Sequence, residues 1–348
     1  MAQGIMDERK RRILKVVTDD YIASAEPVGS RTIARKYDLG LSPATIRNEM
    51  ADLEEEGYLE QPHTSAGRIP SDRGYRYYVN ELMERRRLRP DEIERIVRGM
   101  SARERAIDHL IHQAARVLAQ FTHYPSLILA PDKQNAVIKH VRLIRLGERS
   151  VLLLLVTNTG QVENKVIDCY PDLHDSDLEK LSGLLNERLY NRPLVEIRTA
   201  LEREMGASLH CPPDLFRRTI EALVEAARID AVEQVVTDGA AQILDQPEFA
   251  ERQRFRPLLD LLEEEQALYR LLTESAGPER VKVTIGEENK EEAVRNCSVV
   301  TATYEAGPRS VGIIGVLGPT RMDYAKVLAA VEFMAAHLSR LLSELTGS

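Results

Sequence analysis

The amino-acid sequence predicts an α+β protein in which a mainly helical stretch separates two blocks of strands. Three observations lead to this prediction. Residues 137–168 and the residues after Gly277 have the apolar patterns of strands, whereas residues 170–275 mostly repeat their apolar side chains with helical spacing. The first 90 residues differ from both, because they combine short amphipathic helices with a polar hairpin. A chain of 348 residues is long enough for two or three domains of this kind.

Composition and the length of apolar runs restrict the class of protein. Apolar residues make up 43% and charged residues 29% of the chain, as in ordinary globular proteins. The longest apolar run covers residues 151–156, far fewer than the roughly 20 residues of a membrane span, and the N-terminus lacks the apolar core of a signal peptide. We therefore expect a cytoplasmic protein with no membrane partner. The 3 cysteines are widely spaced and predict neither disulfides nor a thiolate metal site.

The net charge of −8 does not by itself favour binding to nucleic acid. Residues 1–90 contain 16 basic and 15 acidic side chains, whereas the remainder contains 31 and 40, so the N-terminal part is only slightly more basic. A DNA-binding surface would therefore require basic side chains to cluster on one face.

The N-terminal part of the sequence predicts three helices in a helix-turn-helix arrangement. Residues 11–22 place their apolar side chains on one face, and Ser30 can cap a short second helix. A tight turn at Gly40 leads to a third helix, in which Ser42 is the cap and Pro43 occupies the first turn. A short turn between the second and third helices is typical of DNA-binding helix-turn-helix proteins.

The third predicted helix has the polarity that a DNA-reading helix requires. Its apolar stripe consists of Ile46, Met50 and Leu53, at positions i, i+4 and i+7. A helix that enters the major groove by its N-terminus should be basic there and acidic at its far end, away from the phosphates. The polar face has this distribution, with Thr45, Arg47 and Asn48 early and Asp52, Glu55 and Glu56 late.

A polar hairpin follows the third helix. Gly57 ends the helix, Tyr58 begins a strand, and the polar tip at residues 63–68 leads to Ile69. This pattern predicts the wing of a winged helix-turn-helix DNA-binding domain, which would occupy residues 1–88 together with a trailing helix. The alternative is a three-helix bundle that packs against another molecule, and the polar hairpin favours DNA binding over it.

The trailing helix is predicted to pack against the winged domain. Its apolar and aromatic side chains have the spacing of a core-facing stripe rather than of a base-stacking platform: Tyr75, Tyr78, Val79 and Leu82. The basic run at residues 84–90 ends in a proline and predicts an exposed linker or hinge, with contact to DNA backbone as the less favoured alternative.

Beyond this linker, residues 95–121 predict a long helix and residues 324–345 a final amphipathic helix. Three antiparallel strands are predicted between residues 137 and 168, with the all-apolar segment 151–156 as the central strand, covered on both faces.

These elements predict one α+β domain that carries an insertion. Strands on both sides of a helical stretch, with a helix at each end, are typical of that architecture. Residues 89–169 and 276–348 would form the two segments of the domain, and residues 170–275 the inserted domain.

The sequence contains no pattern typical of an active site. His109 and His112 lie three residues apart, but no third metal ligand is near them in the sequence. Gly312, Gly315 and Gly318 fall within a strand and its exit rather than in a phosphate-binding loop, so we attribute them to close backbone approach and a turn. We therefore expect no enzymatic activity, no cofactor and no metal.

Two stretches of the chain resemble the bacterial heat-inducible transcription repressor family HrcA. The first is SPATIRNEMADLEEEGYLEQPHTSAGRIPSDRGYRYYV at residues 42–79, and the second is SVVTATYEAGPRSVGIIGVLGPTRMDYAKV at residues 298–327. The similarity extends over essentially the whole chain, with no break in either motif. It implies a GAF-like domain after the winged helix, and the helical residues 170–275 fit the inserted dimerising domain of that family.

The resemblance also implies a function. Members of the family repress chaperone operons by binding an inverted-repeat operator, the CIRCE element, in double-stranded DNA. The GroE chaperonin helps to keep the repressor active, and heat shock relieves repression. Because an inverted repeat has two-fold symmetry, a homodimer would place two copies of the third helix in successive major grooves.

We predict two groups of DNA-binding residues on this basis. The side chains expected to contact base edges are Thr45, Arg47 and Asn48. Those expected to contact mainly phosphates are Arg31, Thr32, Ser42, Thr64, Ser65 and Arg68. An arginine that binds guanine through two hydrogen bonds contributes about 1–3 kcal/mol of discrimination.

Two other functions remain open at this stage. One is a DNA-binding repressor controlled by a small ligand in the GAF-like domain, although strands 281–317 show no cluster of polar residues that would mark a pocket. The other is a protein–protein scaffold in which the three-helix unit is only a docking module.

Overall fold

The computed structural model describes residues 6–64, 66–100, 107–130, 137–158, 162–169, 173–202, 213–227, 235–250, 252–277, 279–305 and 311–346. These residues form a mixed helix-and-sheet protein with a two-stranded, a five-stranded and a three-stranded sheet. Within them, no helix combines the length and apolar character that crossing a membrane would require.

The N-terminal unit, defined here as residues 6–70, packs three helices and a hairpin around one core. Its elements are α1 (Glu8–Ser24), α2 (Ser30–Lys36), α3 (Pro43–Glu55), β1 (Leu59–Glu60) and β2 (Ile69–Pro70). Ile13, Leu14 and Val17 of α1 are buried against the stripe predicted on α3. The prediction for that stripe is confirmed, because Ile46, Met50 and Leu53 are the buried residues of α3.

Local signals set both ends of α3. The Ser42 side chain accepts a hydrogen bond from the Thr45 N–H at 3.1 Å, and Pro43 is the first helical residue, as expected. At the other end Gly57 has a φ of +78°, and the Tyr58 N–H donates to the Leu53 carbonyl at 2.8 Å. Ser30 differs from the prediction, because it is the first residue of α2 and Gly29 holds the cap position without a side-chain hydrogen bond.

A connecting helix follows, formed by α4 (Asp72–Tyr77) and one π-helical turn (Tyr78–Leu82). The prediction that its tyrosines pack on the N-terminal unit is only partly right. Leu82 of the predicted stripe packs against the N-terminal core, and the Tyr78 hydroxyl donates to Asp19 of α1 at 2.6 Å. Tyr75 and Tyr78 are nevertheless buried in the core of the domain that follows, called here the distal domain. A helical stripe predicts that side chains are buried, but not which neighbour buries them.

The remaining elements form two further units. In chain order they are α5 (Pro90–Gly99), α6 (Ile107–Thr122), β3 (Ser126–Leu129), β4 (Ile138–Arg145), β5 (Ser150–Thr157), β6 (Val162–Asp168), α7 (Asp175–Leu189), α8 (Ile197–Glu202), α9 (Pro213–Ala227), β7 (Val235–Asp238), α10 (Arg252–Glu263), α11 (Glu265–Ser275), β8 (Val281–Ile285), β9 (Cys297–Glu305), β10 (Val311–Pro319) and α12 (Tyr324–Thr346). The helix predicted over residues 95–121 is thus two helices, and its middle part, residues 101–106, lies outside the described residues.

The distal domain is built on the antiparallel five-stranded sheet, in the order β7-β3-β10-β9-β8. Helices α6 and α12 cover one face, and α10 and α11 cover the other. The glycines of β10 allow close packing, because a Cβ added at Gly312 would lie 2.3 Å from the Tyr304 ring and one at Gly318 2.9 Å from the Tyr124 ring. The interpretation as close packing is therefore confirmed, but the turn predicted at Gly318 is not there, because β10 continues through Pro319.

Strands β4, β5 and β6 form the separate three-stranded sheet, which packs against α7, α8 and α9 around its own core. This grouping differs from the predicted division of the chain at residues 169 and 275. The strands assigned to the α+β domain belong with the inserted helices, whereas β7, α10 and α11 return to the five-stranded sheet. Strand periodicity does not reveal which sheet a strand joins, and the four residues of β7 lie within a helical stretch.

The central strand β5 also differs from the prediction. It lies between β4 and β6 as expected, but only one face is covered. Val151, Leu153 and Leu155 are buried, whereas the alternate residues Leu152 and Leu154 are half-exposed. Among the described residues, nothing covers the second face of the three-stranded sheet at Leu152 and Leu154.

Candidate nucleic-acid interface

The N-terminal half of α3 presents its predicted base-reading side chains to solvent. Arg47 and Asn48 are exposed and Thr45 is half-exposed, whereas Ile46 between them is fully buried. Ser42 is exposed, but its hydroxyl caps the helix and lies 2.9 Å from the Thr45 hydroxyl. Ser42 therefore contributes by holding the first turn of the reading helix.

The acidic half of α3 is paired with basic residues of α1. Glu49 forms an ion pair with Arg9 at 3.1 Å, and Lys10 lies between Asp52 and Glu56. The hydrogen bond that the Lys10 ammonium donates to the Glu56 carboxylate raises the pKa of Lys10. The carboxylates of Glu49, Asp52 and Glu56 are therefore directed at α1, so that part of the acidic charge is compensated inside the N-terminal unit.

The hairpin is held against the segment that precedes α2. Val28 and Arg68 exchange two backbone hydrogen bonds of 2.9 Å, which add a short third strand to the hairpin. A Cβ at Gly67 would lie 2.4 Å from the Val28 backbone, so only glycine permits this approach. The Gln61 amide donates to the carbonyls of Thr64 at 3.1 Å and Ala66 at 3.0 Å, and so closes the hairpin tip.

A groove of about 600 Å³ lies between the start of α2, the α3 helix and the hairpin. Four of the predicted DNA-binding residues line it: Arg31, Arg47, Thr64 and Arg68. None of its described lining residues is acidic. The local arrangement of three guanidinium groups therefore favours a polyanion, even though the chain as a whole is acidic.

The side chain of Arg68 is already engaged. Its Nε and Nη2 atoms donate to Oε2 of Glu54 on α3, at 2.9 and 2.8 Å, and the side chain is only 19% exposed. Glu54 and Gln61, which the sequence prediction did not include, hold the hairpin through these hydrogen bonds. They lie in adjoining elements, but only the fold brings Glu54 to Arg68 and Gln61 to the hairpin carbonyls.

Four predicted residues in the described part of the chain do not line the groove: Thr32, Ser42, Thr45 and Asn48. Thr32 is half-exposed on α2. Ser65 lies outside the described residues. Elsewhere in the described part of the chain, no group of three or more His, Cys, Asp or Glu side chains is arranged to hold a metal ion.

A second exposed surface is the outer face of the three-stranded sheet, called here the outer sheet face. In the strand register Ile144 lies beside Leu152, which in turn lies beside Val166. Val156 and Val162 form a neighbouring pair, and the side chains at the sheet edge are the most open, with Val162 54% and Val166 62% exposed. The row between these two groups carries Leu154 flanked by Arg142 and Asn164, so the face combines apolar side chains with polar ones. Such a mixed, open surface has the character of a protein interface.

Comparison with known proteins shows extensive similarity. A family model described as the HrcA protein C-terminal domain matches residues 108–328. The chain is 42% identical over 340 residues to the heat-inducible transcription repressor HrcA of Desulforamulus reducens, covering 98% of each chain. It is 44% identical over 341 residues to the same-named protein of Desulforudis audaxviator, covering 98% of this chain and 99% of the relative.

One solved structure, described as a hypothetical protein, has the same fold. It covers 98% of this chain and 100% of its own, with a TM-score of 0.69 and 24% sequence identity. At that identity the similarity establishes the arrangement of the elements and not the activity.

Proposed function

The chain belongs to the HrcA family of heat-inducible transcription repressors, and from this premise we propose that it binds an inverted-repeat operator of the CIRCE type as a homodimer. In this proposal the N-terminal unit is a winged helix-turn-helix domain, and the five-stranded sheet with its helices is a GAF-like domain. The protein would act in the cytoplasm as a repressor of heat-shock genes and not as an enzyme.

The observation that carries the proposal is the joint arrangement of α3 and the groove. The N-terminal half of α3 exposes Arg47 and Asn48, while its acidic half is paired with α1. In the proposal this half enters the major groove, where Arg47 and Asn48 supply side chains suited to guanine and adenine edges and Thr45 contacts a neighbouring base.

The groove supplies the sequence-independent part of the binding energy. Arg31 on α2 and Thr64 in the hairpin both line the groove. Phosphates that flank the bases read by α3 would pass over these two elements. Thr32, Ser42 and Ser65 are retained as predicted phosphate contacts.

An inverted repeat requires two N-terminal units related by two-fold symmetry. The outer sheet face is the surface that we assign to dimerisation. A two-fold interface must be self-complementary, and a sheet face with Val162 and Val166 open to solvent can bury the same residues on both copies. The dimerising unit would then comprise the described parts of residues 137–227, rather than residues 170–275.

Control by the GroE chaperonin is the part of the proposal that rests on family membership alone. Only folded repressor binds the operator, so a chaperonin that refolds the repressor would link repression to its own free concentration. Operator binding by purified protein should therefore decline after heating and cooling, and GroE with ATP should restore it. Full recovery without chaperonin would contradict this part.

A mobility-shift titration tests the proposed function directly. The full-length protein is titrated against an inverted-repeat duplex of the CIRCE type and against a duplex with both half-sites scrambled, at the same salt concentration. Specific repressors prefer their operator by about 10³-fold or more. Equal affinity for the two duplexes would refute operator recognition.

A further inference from the structure

The N-terminal unit is fixed on the distal domain and is not suspended on a free linker. Residues 83–89 have no regular secondary structure, but the helix before them is buried in the distal core. Tyr75 and Tyr78 belong to that core, and the Tyr75 ring lies 6.0 Å from the Tyr324 ring of α12. An apolar interface of this kind holds the two units together, but it does not by itself select one angle between them.

The first directional contact joins α4 to the turn that follows strand β8. Asp72 accepts a hydrogen bond from the Glu287 N–H at 2.9 Å. One turn further along α4, the Arg76 guanidinium donates to the Val283 carbonyl at 2.7 Å and to the Glu288 carboxylate at 2.8 Å. These bonds tie the connecting helix to the edge strand of the five-stranded sheet.

Gly286 is adapted to this contact. Its φ is +55°, and a Cβ placed on it would lie only 1.8 Å from Oδ2 of Asp72. Any larger residue at this position would push the Asp72 carboxylate away from the Glu287 N–H, because the added Cβ and the carboxylate would occupy the same space. The absence of a side chain at position 286 is therefore a requirement of the interface itself.

The second directional contact lies at the end of α1. Arg321, which follows β10, donates to the Ile22 carbonyl at 2.9 Å. The same guanidinium binds Glu248 at 2.5 Å and Gln246 at 3.2 Å, and its side chain is only 11% exposed. Ile22 lies in the last turn of α1, where helix carbonyls lack an intrahelical donor.

We infer that these two contacts form an orientation latch, in which Asp72, Arg76 and Arg321 are positioning residues for operator binding. One contact alone would leave the N-terminal unit free to rotate about it, whereas contacts on both α1 and α4 define a single angle. The inference rests on the proposed function, because the angle matters only if a dimer reads two half-sites.

The physical consequence concerns the two half-sites together. Adjacent half-sites are about 34–36 Å apart, one helical turn of DNA. Once one N-terminal unit of the dimer is bound to its half-site, the effective concentration of the second unit at the other half-site depends on the distance and angle between the two units. If the second unit cannot reach its half-site, the dimer gains no affinity over a single unit. The latch should therefore raise affinity for the complete operator without changing how a single unit reads a single half-site.

The experiment uses two variants that open the latch from the distal side. Gly286→Ala displaces the Asp72 carboxylate. Arg321→Lys keeps a positive charge beside Glu248, but a lysine ammonium lacks the planar, forked guanidinium that donates to Glu248 and to the Ile22 carbonyl at the same time. The matched control is Arg280→Ala, which removes a solvent-exposed pair with Glu332 on the same domain. None of these residues lies in the groove.

Each protein is titrated against a complete inverted repeat, a single half-site, and an inverted repeat whose centre is lengthened by about 5 base pairs, half a helical turn. Sedimentation confirms that the variants remain dimers. We expect half-site affinity to stay within about twofold of wild type, while affinity for the complete operator falls about tenfold. The latch variants should also discriminate less between the normal and lengthened operators, and Arg280→Ala should behave as wild type.

Either of two results would overturn the latch. One is a parallel loss of half-site and operator affinity, which would mean that the contacts only support folding. The other is an affinity for the complete operator that is unchanged or increased in both variants while the half-site affinity stays at the wild-type value. A wild-type protein that fails to prefer the inverted repeat over a scrambled duplex refutes the proposed function instead, so the two failures are distinguishable.

Discussion

The ion pair between Glu54 and Arg68 leads to a prediction that separates two roles for the hairpin arginine. Glu54→Gln keeps the size of the side chain and removes its charge. The pair is partly shielded, with the side chains 34% and 19% exposed, and both arginine nitrogens share one carboxylate oxygen. Exposed pairs contribute about 0.2–1 kcal/mol and charged hydrogen bonds about 1.5–3 kcal/mol, so we expect about 1 kcal/mol for holding the hairpin on α3.

If the hairpin must be held for DNA binding, Glu54→Gln should weaken operator binding about fivefold, the equivalent of about 1 kcal/mol. Arg68→Ala should weaken it to a similar degree, and the double variant should show little further loss because both changes break one interaction. The assay is a binding titration at several salt concentrations. Glu55→Gln is the matched control, since Glu55 is an exposed neighbour on α3 outside the groove.

The salt dependence decides between positioning and direct contact. Loss of one phosphate contact lowers the slope of log affinity against log salt by about 0.9. We expect an unchanged slope for Arg68→Ala. The opposite result would be tighter operator binding by the Glu54→Gln variant than by the Glu55→Gln variant, together with a reduced slope for Arg68→Ala. It would show that Arg68 binds phosphate once it is released from Glu54, and would refute the positioning role.

Three further predictions concern specificity, assembly and pH. Arg47→Ala should lose about 1–3 kcal/mol of discrimination between operator and scrambled duplex in competition titrations, whereas Arg35→Ala, outside the groove, should not; equal losses on both duplexes would contradict base reading by Arg47. Val166→Glu should convert the dimer to monomer in sedimentation experiments, and Val195→Glu, exposed elsewhere, should leave it dimeric. Burial, with a smaller effect of nearby Arg340, lowers the pKa of His337. The contribution of neutral His337 to the unfolding free energy should therefore be fully present above the ordinary pKa of about 6.5 and be lost as the pH falls through the lowered pKa. Urea titrations of His337→Gln should show a smaller fall, and an identical pH profile would contradict this.

The features of the N-terminal unit that depend on near neighbours were predictable. The cap at Ser42, the stripe of Ile46, Met50 and Leu53, and the exposure of Arg47 all follow from helical geometry over a few residues. For the same reason the glycines of β10 could be assigned to close packing without knowledge of the partner ring.

The parts that were not predictable depend on contacts between distant segments. Nothing in the spacing of Tyr75 and Tyr78 shows that they are buried by the distal sheet, and strand periodicity leaves open that β4–β6 form a sheet of their own. The same limit applies to the site. The pairing of Glu54 with Arg68 requires the hairpin to fold back on α3, and the contact between Arg321 and Ile22 joins residues 299 positions apart.

Charge compensation shows why the net charge of −8 is a poor guide to this surface. Electrostatic attraction to DNA depends on the charges that face the phosphates, and it decays over about one Debye length, near 8–10 Å in physiological salt. On α3 the carboxylates Glu49 and Glu56 are bound by α1, whereas the Arg47 guanidinium opens into the groove. In the proposed function, Arg9 and Lys10 at the start of α1 would therefore serve DNA binding indirectly. They pair with the acidic half of α3, so that their loss should weaken operator binding through repulsion even though these residues lie outside the groove.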